Sequence, residues 1–111
     1  MDATLQQAVA QFNAGEFFDC HETLEPLWQA ATGDERIFLH AFIQLAAALH
    51  HHQRGNLRGA RSVSQRALQK LNSLPLHPLS HQTDMLNAFF AVLPEGATTY
   101  PHLALRYEYE T

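Results

Sequence analysis

Only one cysteine, Cys20, occurs in the chain, so no internal disulfide can form and a stapled secreted scaffold is excluded. A reducing compartment is the matching expectation. No apolar run reaches the roughly 18 residues that a membrane span needs, and the N-terminus has neither the basic start nor the apolar stretch of a signal peptide. The expected location is cytoplasmic, with no membrane partner. Neither a Gly-rich phosphate loop nor a Gly-x-Ser-x-Gly turn is present, which removes two common routes to catalysis. Charge of one sign is missing from each half in turn. Residues 2–35 hold seven acids and no lysine or arginine, and residues 36–83 hold six bases and no acid.

What is present is 111 residues at 46% apolar content, enough for one core and too little for two, so a single helical domain over 1–111 is expected. The segregated charges predict an acidic helical pair docked against a basic one. A nucleic-acid surface on Arg54, Arg58, Arg61, Arg66 and Lys70 is disfavoured, because the net charge is −4 and no aromatics interleave with these bases.

Leu5, Ala8, Val9 and Phe12 repeat at helical spacing and predict a first helix over 2–13, reversed at Gly15. A second helix is expected over about 17–31, interrupted at Pro26, with Thr32-Gly33-Asp34 as a turn and Asp34 as the N-cap of a third helix over 35–53. The third helix is apolar nearly all round and should be the buried centre. Its polar stripe is His40, Gln44 and His51, beside the small residues Ala47 and Ala48. Gly55-Asn56 closes it and opens a fourth helix. Aligning Gly15 on Gly55 makes the two helix pairs weakly alike, in the manner of tetratricopeptide-like hairpins. Residues 73–79 read as a linker, Ser80 as the cap of a fifth helix, and 94–111 as an extended tail in which Leu103, Leu105, Tyr107 and Tyr109 alternate with Ala104, Arg106, Glu108 and Glu110. Such an arm must lie on its own bundle or on a second subunit, the latter giving a homodimer through the tail.

The chemistry concentrates in Cys20-His21-Glu22-Thr23-Leu24-Glu25-Pro26-Leu27-Trp28. Phe17, Cys20, Leu24, Leu27, Trp28 and Ala31 form an apolar stripe, and His21 and Glu25 stand side by side on its edge. An imidazole and carboxylates at a core margin are paired, ligated or catalytic. Cys20 lies on the apolar stripe, so a packed thiol is the expectation over a nucleophile.

The run Phe12-Asn13-x-Gly15-x-Phe17-Phe18-x-Cys20-His21-Glu22-x-x-Glu25-x-x-Trp28, followed by Ile43-Gln44-x-Ala46-Ala47-Ala48-x-x-His51 and Gly55-Asn56-x-x-Gly59-Ala60, resembles the small helical family catalogued as domain of unknown function 309. The resemblance spans residues 12–71 and implies an all-α bundle of bacterial and archaeal proteins, without an established activity, substrate or cofactor. The positions it carries over are His21, Glu22, Glu25, Trp28, Gln44 and His51. Pro26 departs from the family pattern.

These residues predict a buried His/Glu/Gln site between the second and third helices. Its first reading is a polar network that fixes helix packing in a structural or interaction module. The alternative is a metal-dependent or acid/base enzyme, hydrolase-like, acting on a small ligand. In that case His21, Glu22 and Glu25 are catalytic, Gln44, His51 and Trp28 bind ligand, and His21, Glu25 and His51 hold a divalent metal.

Overall fold

The computed structural model describes residues 2–93 and 99–107. It is all-helical: α1 (Ala3–Asn13), α2 (Phe17–Ala30), α3 (Gly33–Gln53), α4 (Leu57–Ser73) and α5 (Thr83–Val92), with a single 3-10 turn over Ser80–Gln82. Asp2 starts α1 by accepting hydrogen bonds from the N–H groups of Thr4 and Leu5 at 2.6 and 3.2 Å. α3 packs against both α2 and α4, with α1 on α2 and α5 on α4. The central place of α3 follows from its composition. Phe38, Leu39, Phe42, Ile43, Leu45, Ala46 and Leu49 are all buried, so apolar side chains leave it in nearly every direction.

Both hairpins reverse through the same device. Gly15 and Gly55 have φ of +78°, a left-handed backbone that glycine adopts without a Cβ penalty. After α1, Gly15 N–H donates to Phe12 O and Glu16 N–H to Gln11 O. After α3, Gly55 N–H donates to His52 O and Asn56 N–H to His51 O. Each is a Schellman closure that satisfies carbonyls the helix leaves open.

Three local expectations are corrected. α2 runs unbroken through Pro26, because Pro26 stands on the exposed side and only one backbone bond is lost, while Leu24, Leu27 and Trp28 hold the following turn to the core. α3 begins two residues early, at Gly33. Thr32 holds its N-cap position without a side-chain bond, and Asp34 sits inside the first turn, where its charge complements the helix dipole. Ser80 does not cap α5. Its Oγ accepts from His77 N–H at 2.9 Å, and the 3-10 turn leads into the helix. The segment after α4 also packs closely, with Leu74, His77 and Leu79 buried.

The charge segregation is present without the charge pairing. Among the described residues no Lys or Arg bridges an Asp or Glu; the ion pair found joins His21 to Glu22. Arg36 instead donates to the carbonyls of Trp28, Gln29 and Ala31 at the end of α2, and its guanidinium lies 4.5 Å from the Trp28 ring centroid.

Residues 99–107 lie along the chain's own bundle. Asn13 exchanges two hydrogen bonds with the Leu103 backbone, at 2.9 and 2.7 Å, and Gln82 bonds His102 O and Ala104 N–H. Leu103 is buried, with Leu105 and Tyr107 half-buried and His102, Ala104 and Arg106 exposed, which is the expected alternation. The remainder of the 94–111 tail falls outside the described residues.

His77 gives the fold a pH dependence. Its ring stacks on Phe38 at 5.7 Å and its Nδ1 accepts from Leu79 N–H at 3.1 Å, an arrangement open only to the neutral ring. Burial pushes its pKa below 6.5, opposed by a backbone bond at Leu71 and assisted by His81. His40 shifts the same way, through burial and then the charges of Lys70 and Arg36. The unfolded chain therefore takes up protons at a pH where the folded chain does not. Stability should be full above about pH 6.5 and fall as pH drops below it, until the folded rings also protonate. Urea midpoints measured from pH 8 to 5 check this, and the slope should lessen in His77→Gln.

Candidate functional site

The amino-terminal half of α2 and the carboxy-terminal half of α3 enclose a groove of about 200 Å³ lined by Phe17, Phe18, His21, Ala47, His50 and His51. Ala47 leaves room at its base, as its small side chain between polar neighbours predicts. Phe17 is fully buried and anchors one wall, whereas Phe18 is 55% exposed, its ring centroid 6.4 Å from that of His21 and 5.7 Å from that of His50.

His21, Glu22 and Glu25 stand together at the lip of this groove. One ligand atom from each lies within 4.8 Å of the others. His21 Nδ1 is 3.3 Å from Glu22 Oε1, and as the donor in that contact it leaves Nε2 with a free lone pair. Glu25 receives a long 3.5 Å bond from Gln29 Nε2. Among the described residues neither carboxylate has a lysine or arginine partner. The site is half-open: His21 and Glu25 are half-buried and Glu22 is exposed. This corrects the expectation of a buried polar network, since among the described residues the hydrogen bonds of these side chains stay within α2 and none ties α2 to α3.

The other expected members are placed differently. His51 lines the groove but does not share the donor cluster on α2. Gln44 is drawn away, because its Oε1 accepts from Lys70 Nζ of α4 at 2.9 Å. Trp28 lies beyond the groove, stacked on His40 at 4.9 Å and covered by Arg36. The half-buried polar stripe of α3 is thus divided among three neighbours. Trp28 takes His40, Lys70 takes Gln44, and Asn56 takes His51 through a 3.2 Å bond.

Phe18 and His50 are groove residues that sequence reasoning missed. His50 was detectable only as one of three consecutive histidines. The third, His52, is buried and bonds Tyr100 Oη through Nδ1 at 2.9 Å. Cys20 is fully buried, and burial pushes its thiol up to about 12, as a packed side chain requires.

The family model described as "Domain of unknown function (DUF309)" matches residues 5–63, more than half of the chain and the whole of the groove. The chain belongs to that family. A relative of it is the "Uncharacterized protein YpuF" of Bacillus subtilis (strain 168), 37% identical over 59 residues, which are 52% of this chain and 34% of that one. The chain thus spans about a third of the length of the curated relative it matches. No solved structure matches. No helix among the described residues is long and apolar enough to cross a membrane.

Proposed function

We propose that this protein binds a divalent transition-metal ion through His21, Glu22 and Glu25, and that the groove beside them receives a small ligand of that ion. The observation that carries the reading is the donor cluster: one imidazole and two carboxylates within 4.8 Å, without a lysine or arginine partner among the described residues, at the edge of a cavity. Nitrogen and oxygen donors suit zinc, manganese, iron or nickel. Bonds of about 2.0–2.1 Å need a tighter triangle than the one present, and a rotamer change in an exposed side chain such as Glu22 is enough to close it. Three protein ligands leave positions open on the ion, which is the arrangement of reactive sites, whereas structural sites are closed by four. Polarisation of a bound carbonyl or phosphoryl oxygen, or activation of water, is the reaction class such a site supports, hydrolase-like in outcome.

A packing network fits less well. Such networks stabilise by linking elements away from water, and this cluster is half-open and local to α2. An interaction surface is the second reading, favoured by the exposed Phe18 on the groove lip. A cytoplasmic setting accompanies both readings, with Cys20 as a free thiol. Elemental analysis of untagged protein, loaded with zinc or manganese and desalted, tests the metal. About one equivalent is expected in the wild type and a loss in His21→Ala. Metal-free wild-type protein whose melting temperature falls sharply in His21→Ala would favour the packing network instead.

A further inference from the structure

His51 and His21 line the same groove, but their surroundings give the two rings opposite proton arrangements. Asn56 follows α3 after the Arg54-Gly55 reversal and is the N-cap residue of α4. Its Oδ1 accepts from Gly59 N–H at 2.9 Å, which fixes which end of the amide is which. The Nδ2 group therefore faces His51, 3.2 Å from its Nδ1. An amide N–H can be accepted only by an unprotonated ring nitrogen, so a neutral His51 carries its proton on Nε2. Glu22 has the reverse effect on His21, holding the proton on Nδ1. Gly59 belongs to the same device. A Cβ there would lie 2.5 Å from Asn56 Nδ2 and 2.9 Å from its Cγ, so glycine is what lets the amide lie over the first turn of α4.

We propose that Asn56, seated by Gly59, is a positioning residue that fixes the Nε2–H tautomer of His51, making it a hydrogen-bond donor to a ligand oxygen in the groove and not a metal ligand. A ring nitrogen that carries a proton has no lone pair for a cation. Ligation through Nε2 would move the proton to Nδ1, against the Asn56 amide. The two walls of the groove then differ in chemistry. α2 offers electron pairs and α3 offers a proton, so the matching ligand presents an oxygen acceptor, such as a carboxylate or phosphoryl oxygen, to the α3 side. The tautomer stands on the Asn56 geometry alone, and only the exclusion of His51 as a ligand rests on the proposed metal site.

Long-range proton–nitrogen correlation spectra of the full chain, recorded without metal at a pH where histidines are neutral, read the tautomer of each ring. In the wild type, His51 should carry its proton on Nε2. Asn56→Asp keeps an acceptor for Gly59 N–H but replaces the donor facing His51 with a second acceptor, so the proton should move to Nδ1 while His50 stays unchanged. Gly59→Ala should displace the amide and leave His51 a mixture, without any change at His51 or Asn56 themselves, which keeps the test open if Asn56→Asp fails to fold. A His51 proton on Nδ1 in the wild type, or on Nε2 alone in both variants, would overturn the proposal. Zinc titration separates this from the metal reading. With zinc bound, His51→Ala should leave its affinity unchanged within about twofold, and loss of zinc in that variant would make His51 a ligand after all. If zinc does not bind, the metal reading fails while the tautomer result is unaffected.

Discussion

Phe42→Ala should destabilise the protein by about 3–5 kcal/mol, the range for removing a buried aromatic ring. Phe42 is fully buried in the middle of α3, with Phe12 of α1 at 6.0 Å and Phe38 at 6.3 Å between ring centroids. The ring therefore joins α1 to α3 across the core, and no nearby flexible side chain can swing in to fill the space: Ala41, Leu45 and Ala46 around it on α3 are themselves fully buried. Domains of this size have about 5–15 kcal/mol in total, so the variant would lose a large share of its stability, with a fall in melting temperature of roughly 15 °C. Ile37→Ala on the same helix is the control. Ile37 is 39% exposed, and its removal should cost well under what Phe42 costs. Circular dichroism during thermal and urea unfolding measures both, and equal losses would contradict the central position of α3.

Cys20 should react with thiol reagents at least about a thousandfold more slowly in the native protein than in the unfolded chain. The thiolate is the reactive form, and a rise from 9.0 to about 12 reduces its fraction near neutral pH by about three powers of ten. Full burial adds a steric barrier, so labelling should proceed only through opening of the structure. Timed labelling with a chromogenic disulfide, in buffer and in denaturant, gives the ratio. Rapid native labelling would reopen Cys20 as a nucleophile beside His21. The expected result leaves His21 to act through its carboxylate neighbours.

The parts of the fold that came directly from residue pattern are those that depend on one helix at a time. Leu5, Ala8 and Phe12 marked the buried face of α1, the continuous apolar content of α3 marked it as central, and Gly15 and Gly55 marked both reversals. The site was legible only in part: His21, Glu22 and Glu25 share one helix and offer ligand atoms within 4.8 Å of one another, but His21 bonds Glu22, where the spacing had pointed to Glu25. Residues whose role depends on a neighbouring helix were less legible. Gln44 and His51 share a face of α3, but helical periodicity does not reveal that Lys70 reaches across from α4 to take Gln44, or that Asn56 turns back to take His51. Trp28 fell to Arg36 and His40 for the same reason. The segregated charges marked the docking of the first helix pair on the second, but among the described residues no Lys or Arg bridges an Asp or Glu across it, and Arg36 takes the carbonyls at the end of α2 instead. Pro26 did not break α2, since packing on the opposite side of the helix outweighed one missing bond.

Calorimetric titration of untagged protein with zinc, alongside His21→Ala, Glu25→Gln and His51→Ala, addresses the donor cluster most directly. The predicted result is one site in the wild type, weakened by at least about tenfold in His21→Ala and Glu25→Gln and retained in His51→Ala. Absence of stoichiometric binding in the wild type, or binding that survives in both α2 variants because the His50-His51-His52 run holds the ion instead, would contradict it.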